Sequence, residues 1–245
     1  GVLMLAVRWA DRAGGGAHGM VVFATIPMLA GGVAAVVLSA GSSGTGGVYA
    51  GFFGALAIWG WIELAFLCGI VAGPERRPCP PGLSGTARFA RAWGTVSHHE
   101  VALTLGLLFV VMATSGGPNE VALWTYAILW GARVSAKLNL YLGVPRINVE
   151  FVPARLDHLK SYFTRGPITP AFPLAITGLS FAVACFAERL VSAPDPAAAE
   201  GYALLTALAA LALLEHWLMV LPLPDAKLWR WMLPAPAPGP TKDRQ

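Results

Sequence analysis

Charged residues are scarce in this chain, at 12% of its 245 residues, whereas about 25% is usual for a globular domain. The sequence has no phosphate-binding loop, no dinucleotide fingerprint and no recognisable order of Ser, His and Asp, so it gives no sign of a nucleotide-dependent enzyme or a serine hydrolase. The basic residues form no stripe interleaved with aromatic residues. The net charge of +4 therefore does not predict nucleic-acid binding.

Cysteine is also rare, and the three cysteines, Cys68, Cys79 and Cys185, are far apart in the sequence. There is no Cys-x-x-Cys pair and no histidine at the spacing of a zinc site. Two of the cysteines lie in apolar segments, and Cys79 lies in a basic loop. This pattern predicts small buried side chains and one loop thiol rather than a disulfide framework.

Hydrophobic residues are abundant, at 56% of the chain. Runs of about 20 apolar residues predict membrane-spanning helices. We therefore predict an all-α fold, a polytopic transmembrane helix bundle with six full spans, in which Gly1–Val7 is the end of a truncated first span. Residues 1–231 would form one domain, followed by a proline-rich tail at 232–245. The six predicted spans are Met20–Ala40, Tyr49–Ala72, His98–Thr114, Val121–Val144, Ala171–Val191 and Tyr202–Leu221.

Lysine and arginine residues fall in alternate connecting segments, which tests the predicted spans. The segments 73–97 and 145–170 each carry several basic residues, whereas the segments 41–48 and 115–120 carry none. By the positive-inside rule, the basic segments face the cytoplasm. The protein is then predicted to be a multi-pass protein of a bacterial inner membrane with a cytoplasmic C-terminus. Trp217, Trp229 and Trp231 would anchor the last span at the interface.

Besides Glu188 and Arg189 near the end of the fifth predicted span, five charged residues lie in or at the ends of the predicted spans. An ionisable group in hydrocarbon costs several kcal/mol, so such residues face a protein interior and mark function or obligatory pairing. Counting about 1.5 Å per residue places all five in the cytoplasmic half of the membrane, where they could converge on one cavity. The five residues are Glu63, Glu100, Arg133, Lys137 and Glu215.

The fourth predicted span has one polar and aromatic face. Tyr126, Trp130, Arg133, Lys137 and Tyr141 follow the 3.6-residue period of a helix, so this face must point into the bundle. The two cations would then pair with nearby carboxylates. The aromatic residues would line the same site.

Histidines beside carboxylates allow a second interpretation, in which an imidazole ligates the magnesium of a bacteriochlorophyll or a divalent metal. The spacing matches neither His-Glu-x-x-His nor the Glu-x-x-His of a di-iron bundle. Ion pairing, pigment binding and metal binding therefore stay open at this stage. The candidate ligands are His99, Glu100, Glu215, His216, Glu63 and His158.

Two basic connecting segments have contrasting compositions. Apolar and charged residues mix in Pro145–Pro170, which predicts a short amphipathic helix at the membrane surface, either capping the bundle or docking a partner. Gly73–Gly82 is rich in proline and is predicted to be rigid without regular structure. The arginines around it would also attract anionic lipid headgroups.

Several long strings together resemble photosynthetic complex assembly proteins of the PuhE type, and the similarity extends from about Trp59 to Trp231. The strings are Gly73-Pro-Glu-Arg-Arg-Pro-Cys-Pro-Pro-Gly82, His99-Glu100, Ser135-Ala-Lys-Leu-Asn-Leu-Tyr-Leu-Gly-Val144, Glu150-Phe-Val-Pro153, His158-Leu-Lys-Ser-Tyr-Phe163, Leu214-Glu-His-Trp217 and Leu221-Pro-Leu-Pro224.

The resemblance implies a factor that assembles or stabilises the photosynthetic reaction centre and its light-harvesting complex 1 (LH1). Its partners would be the reaction-centre and LH1 subunits and the lipid bilayer, and bacteriochlorophyll is the cofactor it suggests. The alternative from the residues alone is an intramembrane metal-dependent enzyme acting on a pigment, quinone or lipid. A transporter is disfavoured because the two halves of the chain show no paired, broken helices.

Overall fold

The structure is a computed structural model that describes residues 2–221, and within them the chain is helical with no β-strand. This confirms the predicted all-α class. The helices are α1 (Val2–Ala13), α2 (Ala17–Ala24), α3 (Ile26–Ser39), α4 (Thr45–Leu67), α5 (Gly85–Thr114), α6 (Val121–Leu142), two 3₁₀ helices (Val149–Phe151 and Ala154–Tyr162), α7 (Ala171–Val191) and α8 (Pro196–Leu218).

Five helical segments of the described chain are long and apolar enough to cross a membrane, and they match five of the six predicted spans. One of them, 17–39, is formed by α2 and α3 together, which join at Thr25. Pro27 lies in the first turn of α3, where its missing N–H breaks the helical hydrogen-bond series. The other four are α4, α5, α7 and α8.

Helix α6 corresponds to the fourth predicted span, and it is 22 residues long but less apolar than the other five. Arg133 and Lys137 account for much of this difference. The helix packs against α4, α5, α7 and α8. The most polar of the predicted spans is therefore surrounded by other helices.

The start of α5 differs from its prediction. The helix begins at Gly85 rather than at His98, because the hydrophobic pattern does not include the charged first turns around Arg88 and Arg91. Helix α1 likewise continues past the predicted stub, to Ala13, and its Val7 is fully buried. The predicted tail, 232–245, and the anchors Trp229 and Trp231 lie outside the described residues.

The connecting segments meet at two opposite ends of the bundle. At one end, Arg88 donates to the carbonyl of Tyr162 at 2.7 Å, and the N–H of Cys79 donates to Ser161 at 2.8 Å. At the other end, Asn119 donates from its side chain to the carbonyl of Ser39 at 3.1 Å. The basic segments thus share one end, which we call the basic end, as the alternation predicts.

The predicted amphipathic helix at the basic end is a 3₁₀ helix, Ala154–Tyr162, and it covers the end of the bundle. Leu156 and Leu159 are buried against Phe66 and Ala72. The apolar side of this segment therefore contacts protein, which matches its interpretation as a cap. We call this segment the cap.

The proline-rich segment 73–82 has no regular structure and is attached to the cap. Tyr162 donates from its hydroxyl to the carbonyl of Arg77 at 3.1 Å. Gly73 lies so close to α5 that a Cβ atom there would be 2.0 Å from the carbonyl oxygen of Gly94. Three of the arginines in and after this segment bind protein: Arg76 binds the carbonyl of Gly69, Arg88 binds the cap, and Arg91 binds Glu75. Their attraction for lipid headgroups stays a prediction.

Small residues bring α3 and α4 together at Gly32 and Gly54. A Cβ atom on Gly32 of α3 would lie 2.9 Å from the carbonyl oxygen of Gly54 on α4. The two backbones are therefore in direct contact. This is the close helix approach that small residues allow in membranes.

Candidate functional site

Five charged or titratable side chains meet between α4, α5 and α6. We call them the charge layer: Glu63 from α4, His99 and Glu100 from α5, and Arg133 and Lys137 from α6. Arg133 and Lys137 lie about one turn apart and share a face of α6, whereas His99 and Glu100 are adjacent on α5 and both contact Lys137. The layer joins three helices that are distant along the chain.

Arg133 and Glu63 form a two-point ion pair. Nη2 of Arg133 donates to Oε2 of Glu63 at 3.0 Å. Nε of Arg133 also lies 3.0 Å from Oε1 of Glu63, but it is not aligned for a hydrogen bond. The predicted pairing of Arg133 with a carboxylate is therefore present, and the partner is on α4.

Lys137 contacts two groups on α5. Its Nζ atom binds Oε1 of Glu100 and donates to Nδ1 of His99 at 2.8 Å. Because an ammonium group can only donate, Nδ1 of His99 must be the accepting nitrogen. The proton of a neutral His99 is then on Nε2, which lies 3.4 Å from Oε1 of Glu63 without forming a hydrogen bond.

The charge layer is electrically balanced. Two carboxylates face two cations, and the imidazole between them is neutral in the arrangement just described. Such balance is required because an unpaired charge in an apolar interior costs several kcal/mol.

Phe66 completes the layer and was missed by the sequence reasoning. Its ring lies 4.1 Å from the ring of His99, and Nζ of Lys137 lies 5.0 Å from its centroid. These are distances of ring stacking and of a cation–π contact. The available signal was its position three residues after Glu63, on the same face of α4.

The predicted polar face of α6 points at α4 and α5 along its whole length. Tyr126 contacts the ring of Trp59 on α4, Trp130 donates to Thr104 on α5 at 3.3 Å, and Tyr141 contacts the ring of Phe89 on α5. The face was therefore placed correctly by its helical period. Of these three aromatic residues, Tyr141 lines the cavity described next.

A cavity of about 470 Å³ extends from the charge layer to the basic end. Glu100, Arg133 and Lys137 line its inner part. Its walls are mainly apolar and aromatic, and the cap closes one side with residues such as Phe151 and Leu156. This volume and this mixture of apolar walls with few polar groups are typical of a small-molecule site.

Glu215 does not join the charge layer, contrary to the predicted convergence. Its side chain is exposed, and it lines the cavity wall beside Leu218. Its neighbour His216 is the buried member of the pair. Adjacent helix positions point about 100° apart, and His216 is the one that faces α6, where it contacts Ser135.

His216 is bonded on both ring nitrogens. Its Nδ1 lies 2.8 Å from the carbonyl oxygen of Ala212, and its Nε2 lies 2.8 Å from the hydroxyl of Ser135 on α6. A carbonyl only accepts, so a proton is on Nδ1. The hydroxyl of Ser135 has one proton, and the carbonyl oxygen of Ala132 at 3.0 Å and Nε2 of His216 are both within its reach. Its role as a ligand stays a prediction, and it would require breaking one of these bonds.

His158 lies apart from the charge layer, in the cap. Its Nε2 atom is buried without a hydrogen-bond partner among the described residues. Burial and, to a smaller extent, the nearby Arg76 lower the pKa of this imidazole below its usual value. A neutral imidazole is therefore favoured at this position.

No group of three or more His, Cys, Asp or Glu side chains within residues 2–221 is placed to hold a metal ion. The carboxylates of the charge layer face Arg133 and Lys137 instead. The metal interpretation consequently gains no support from the described part of the chain.

These observations define a class: a multi-pass helical membrane protein with a balanced charge layer at the inner end of a cavity. The chain belongs to the DUF3623 family, described as "Protein of unknown function", whose model matches residues 2–239. It is also similar to an "Uncharacterized 30.4 kDa protein in puhA 5'region" of Rhodobacter capsulatus, with 49% identity over 235 residues, or 96% of this chain and 86% of that protein. No solved structure matches the chain.

Proposed function

We propose that this protein is a membrane-embedded factor that assembles or stabilises the bacterial reaction centre–LH1 complex and handles bacteriochlorophyll in the process. One observation carries the proposal: the 49% identity, over 96% of the chain, to the Rhodobacter capsulatus protein of the puhA 5' region. The strings that resemble assembly proteins of the PuhE type agree with this context.

Two structural features support a handling role. The cavity of about 470 Å³ offers aromatic walls and a small polar inner part, which suits a hydrophobic pigment. The cap and the segment 73–82 form a continuous surface at the basic end, fixed by bonds such as that from Cys79 to Ser161. We propose this surface, on the cytoplasmic side of the inner membrane, as the contact for reaction-centre and LH1 subunits.

The first experiment deletes the corresponding gene in a purple phototrophic bacterium and compares the LH1 absorbance band per milligram of membrane protein. We expect less core complex in the deletion strain and recovery with the wild-type chain. Full core-complex levels without the gene would reject the proposal.

The second experiment purifies the tagged full chain from phototrophic membranes in mild detergent. We expect reaction-centre or LH1 subunits to elute with it, whereas a tagged, unrelated multi-pass protein of similar abundance should elute without them. A variant with Tyr162→Phe and Ser161→Ala, which loosens the attachment of the cap, should retain less of these subunits. Equal recovery with the unrelated protein would contradict a specific contact.

A further inference from the structure

The inner part of the cavity has hydrogen-bond donors left over after the charge layer has formed. Nη1 of Arg133 has no hydrogen-bond partner among the described residues, and its side chain lines the cavity with 30% of its surface exposed. Lys137 is 20% exposed and has three N–H bonds, of which Glu100 and His99 account for two. Arg133 thus has a donor open to a ligand, and Lys137 has one N–H bond beyond those two in a side chain that lines the cavity.

Acceptors are less available in the same place. The side chains of Glu63 and Glu100 are each only 11% exposed, well below the two cations. A ligand that reaches the charge layer therefore meets mainly N–H groups. Its complementary atoms are hydrogen-bond acceptors.

The balance of charge restricts the ligand further. Because Glu63 and Glu100 already neutralise the two cations, an anionic head group would leave one buried negative charge in excess. A neutral acceptor avoids that cost. A carbonyl oxygen is such an acceptor.

The walls indicate the shape of the ligand. Phe66, Phe89 and Tyr141 line the cavity, and the rings of Phe89 and Tyr141 are 5.8 Å apart in an edge-to-face arrangement. Aromatic walls favour a flat, conjugated molecule that can stack on them. The N–H donors of the charge layer and the aromatic walls together therefore point to a planar ring system with carbonyl groups at its edge.

The histidines argue against recognition through a metal. Nδ1 of His99 accepts from Lys137, and its Nε2 faces Glu63. Both nitrogens of His216 are bonded within the protein. A magnesium ligand from either residue would require the loss of a buried contact.

We infer that the cavity binds a neutral, planar, carbonyl-bearing molecule through Arg133 and Lys137, without ligation of a metal by His99 or His216. This inference deepens the proposed function, on whose cavity it rests, by naming the ligand class and the groups that recognise it. A tetrapyrrole pigment and a quinone share this chemistry.

The test uses the purified full chain, freed of pigment, in lipid nanodiscs. Four probes are titrated: bacteriochlorophyll a, its magnesium-free form bacteriopheophytin a, a quinone with an isoprenoid tail, and octaethylporphyrin, which is planar but has no carbonyl. Equilibrium dialysis gives the affinities, and infrared or resonance Raman spectra give the carbonyl stretching frequency.

We expect octaethylporphyrin to bind at least about tenfold more weakly than the carbonyl-bearing probe that binds most tightly. A tenfold ratio of affinities corresponds to about one charge-assisted hydrogen bond. We also expect the carbonyl band of the bound ligand to shift to lower frequency. Equal binding of bacteriochlorophyll a and bacteriopheophytin a identifies the ligand as a tetrapyrrole. Tighter binding of the quinone than of either pigment identifies the ligand as a quinone. Binding of bacteriochlorophyll but not of bacteriopheophytin would overturn the inference.

A paired variant keeps the test independent of folding. Lys137→Met with Glu100→Gln removes a donor without leaving a buried charge, and it should weaken binding at least about tenfold and reduce the carbonyl shift. The matched control, Glu75→Gln with Arg91→Met, removes an ion pair outside the cavity and should bind like the wild type. Equal affinity and an unchanged carbonyl band in both variants would overturn the inference.

The two proposals can fail separately. If no probe binds but reaction-centre subunits still elute with the tagged chain, the ligand inference fails and the assembly role stands. If a probe binds as expected but deletion of the gene leaves the core complex unchanged, the assembly role fails and the ligand site stands.

Discussion

The two faces of α6 are held by different interactions. The face toward α4 and α5 is joined by the charge layer, in which Arg133 and Lys137 have designated partners. The face toward α7 and α8 is joined mainly by apolar packing, and among the described residues one side-chain hydrogen bond, between Ser135 and His216, crosses it. The buried apolar residues of this second face are Ile128, Ala132, Phe186, Leu205, Ala209 and Ala212.

The two faces of α6 show how a helix in a membrane can have specified neighbours on one side and close apolar packing on the other. Lipid tails are as apolar as the side chains of the second face, so that face gains mainly from close packing. The charge layer specifies which helices meet, because each buried ion accepts only an opposite partner. The face toward α4 and α5 therefore specifies which helices lie beside α6, and the face toward α7 and α8 brings helices into close packing with it.

The largest expected effect is at the first face. Arg133→Leu leaves Glu63 buried without its cation and should lower the free energy of unfolding by about 3–5 kcal/mol. Unfolding in detergent, followed by circular dichroism, measures the change. The double variant with Glu63→Leu should regain most of the loss, and an absence of recovery would show that Arg133 does more than pair with Glu63.

A smaller effect is expected from overpacking the second face. Ala209 is fully buried between helices, and Ala209→Leu should cost about 1–3 kcal/mol because neighbouring side chains must move. The same unfolding experiment applies, with Leu211→Ala on the exposed side of α8 as the control. A neutral Ala209→Leu would mean that this face is loosely packed.

The single polar contact of the second face should contribute less. Ser135→Ala removes the hydroxyl that lies 2.8 Å from Nε2 of His216 and should cost about 1 kcal/mol, the net contribution of one hydrogen bond. Ser135→Thr keeps the hydroxyl and serves as the matched variant. If the alanine and threonine variants are equally stable, the bond to His216 contributes nothing measurable.

The smallest effect is expected for an ion pair outside the bundle. Arg91 donates to Glu75 at 2.8 Å, and this hydrogen bond holds the pKa of the carboxyl below its usual value. Its stabilisation is present above the unfolded pKa of 4.5 and is lost as the pH falls through the folded pKa. Because both side chains are partly exposed, at 36% for Arg91 and 21% for Glu75, Glu75→Gln should change the pH dependence only slightly. If Glu75→Gln lowers the free energy of unfolding as much as Arg133→Leu does, the two ion pairs do not differ in their contribution to stability.

The sequence was sufficient for the helices and for the orientation of α6. Hydrophobic runs locate spans because the membrane core requires a fixed length of apolar helix. The 3.6-residue period placed Tyr126, Trp130 and Tyr141 on one face with the two cations. The length of a hydrophobic run and the helical period are both local properties of the chain.

The partners within the site could not be predicted in the same way. Pairing of Arg133 with Glu63, and of Lys137 with Glu100, depends on which helices are neighbours in the bundle. The orientation of Glu215 depends on the rotation of α8, and the sequence gives two adjacent polar residues without saying which one is buried. The helical cap was predicted, but neither its 3₁₀ form nor its packing on Phe66 and Ala72 was.

The balance of the charge layer has an electrical consequence. A membrane potential of 100 mV acts on each elementary charge with about 2.3 kcal/mol across the full membrane. Glu63 and Glu100 cancel Arg133 and Lys137, so the voltage exerts almost no net force on the layer as a unit. Energising the membrane should therefore leave α6 in place, although the helix carries two cations inside the hydrocarbon.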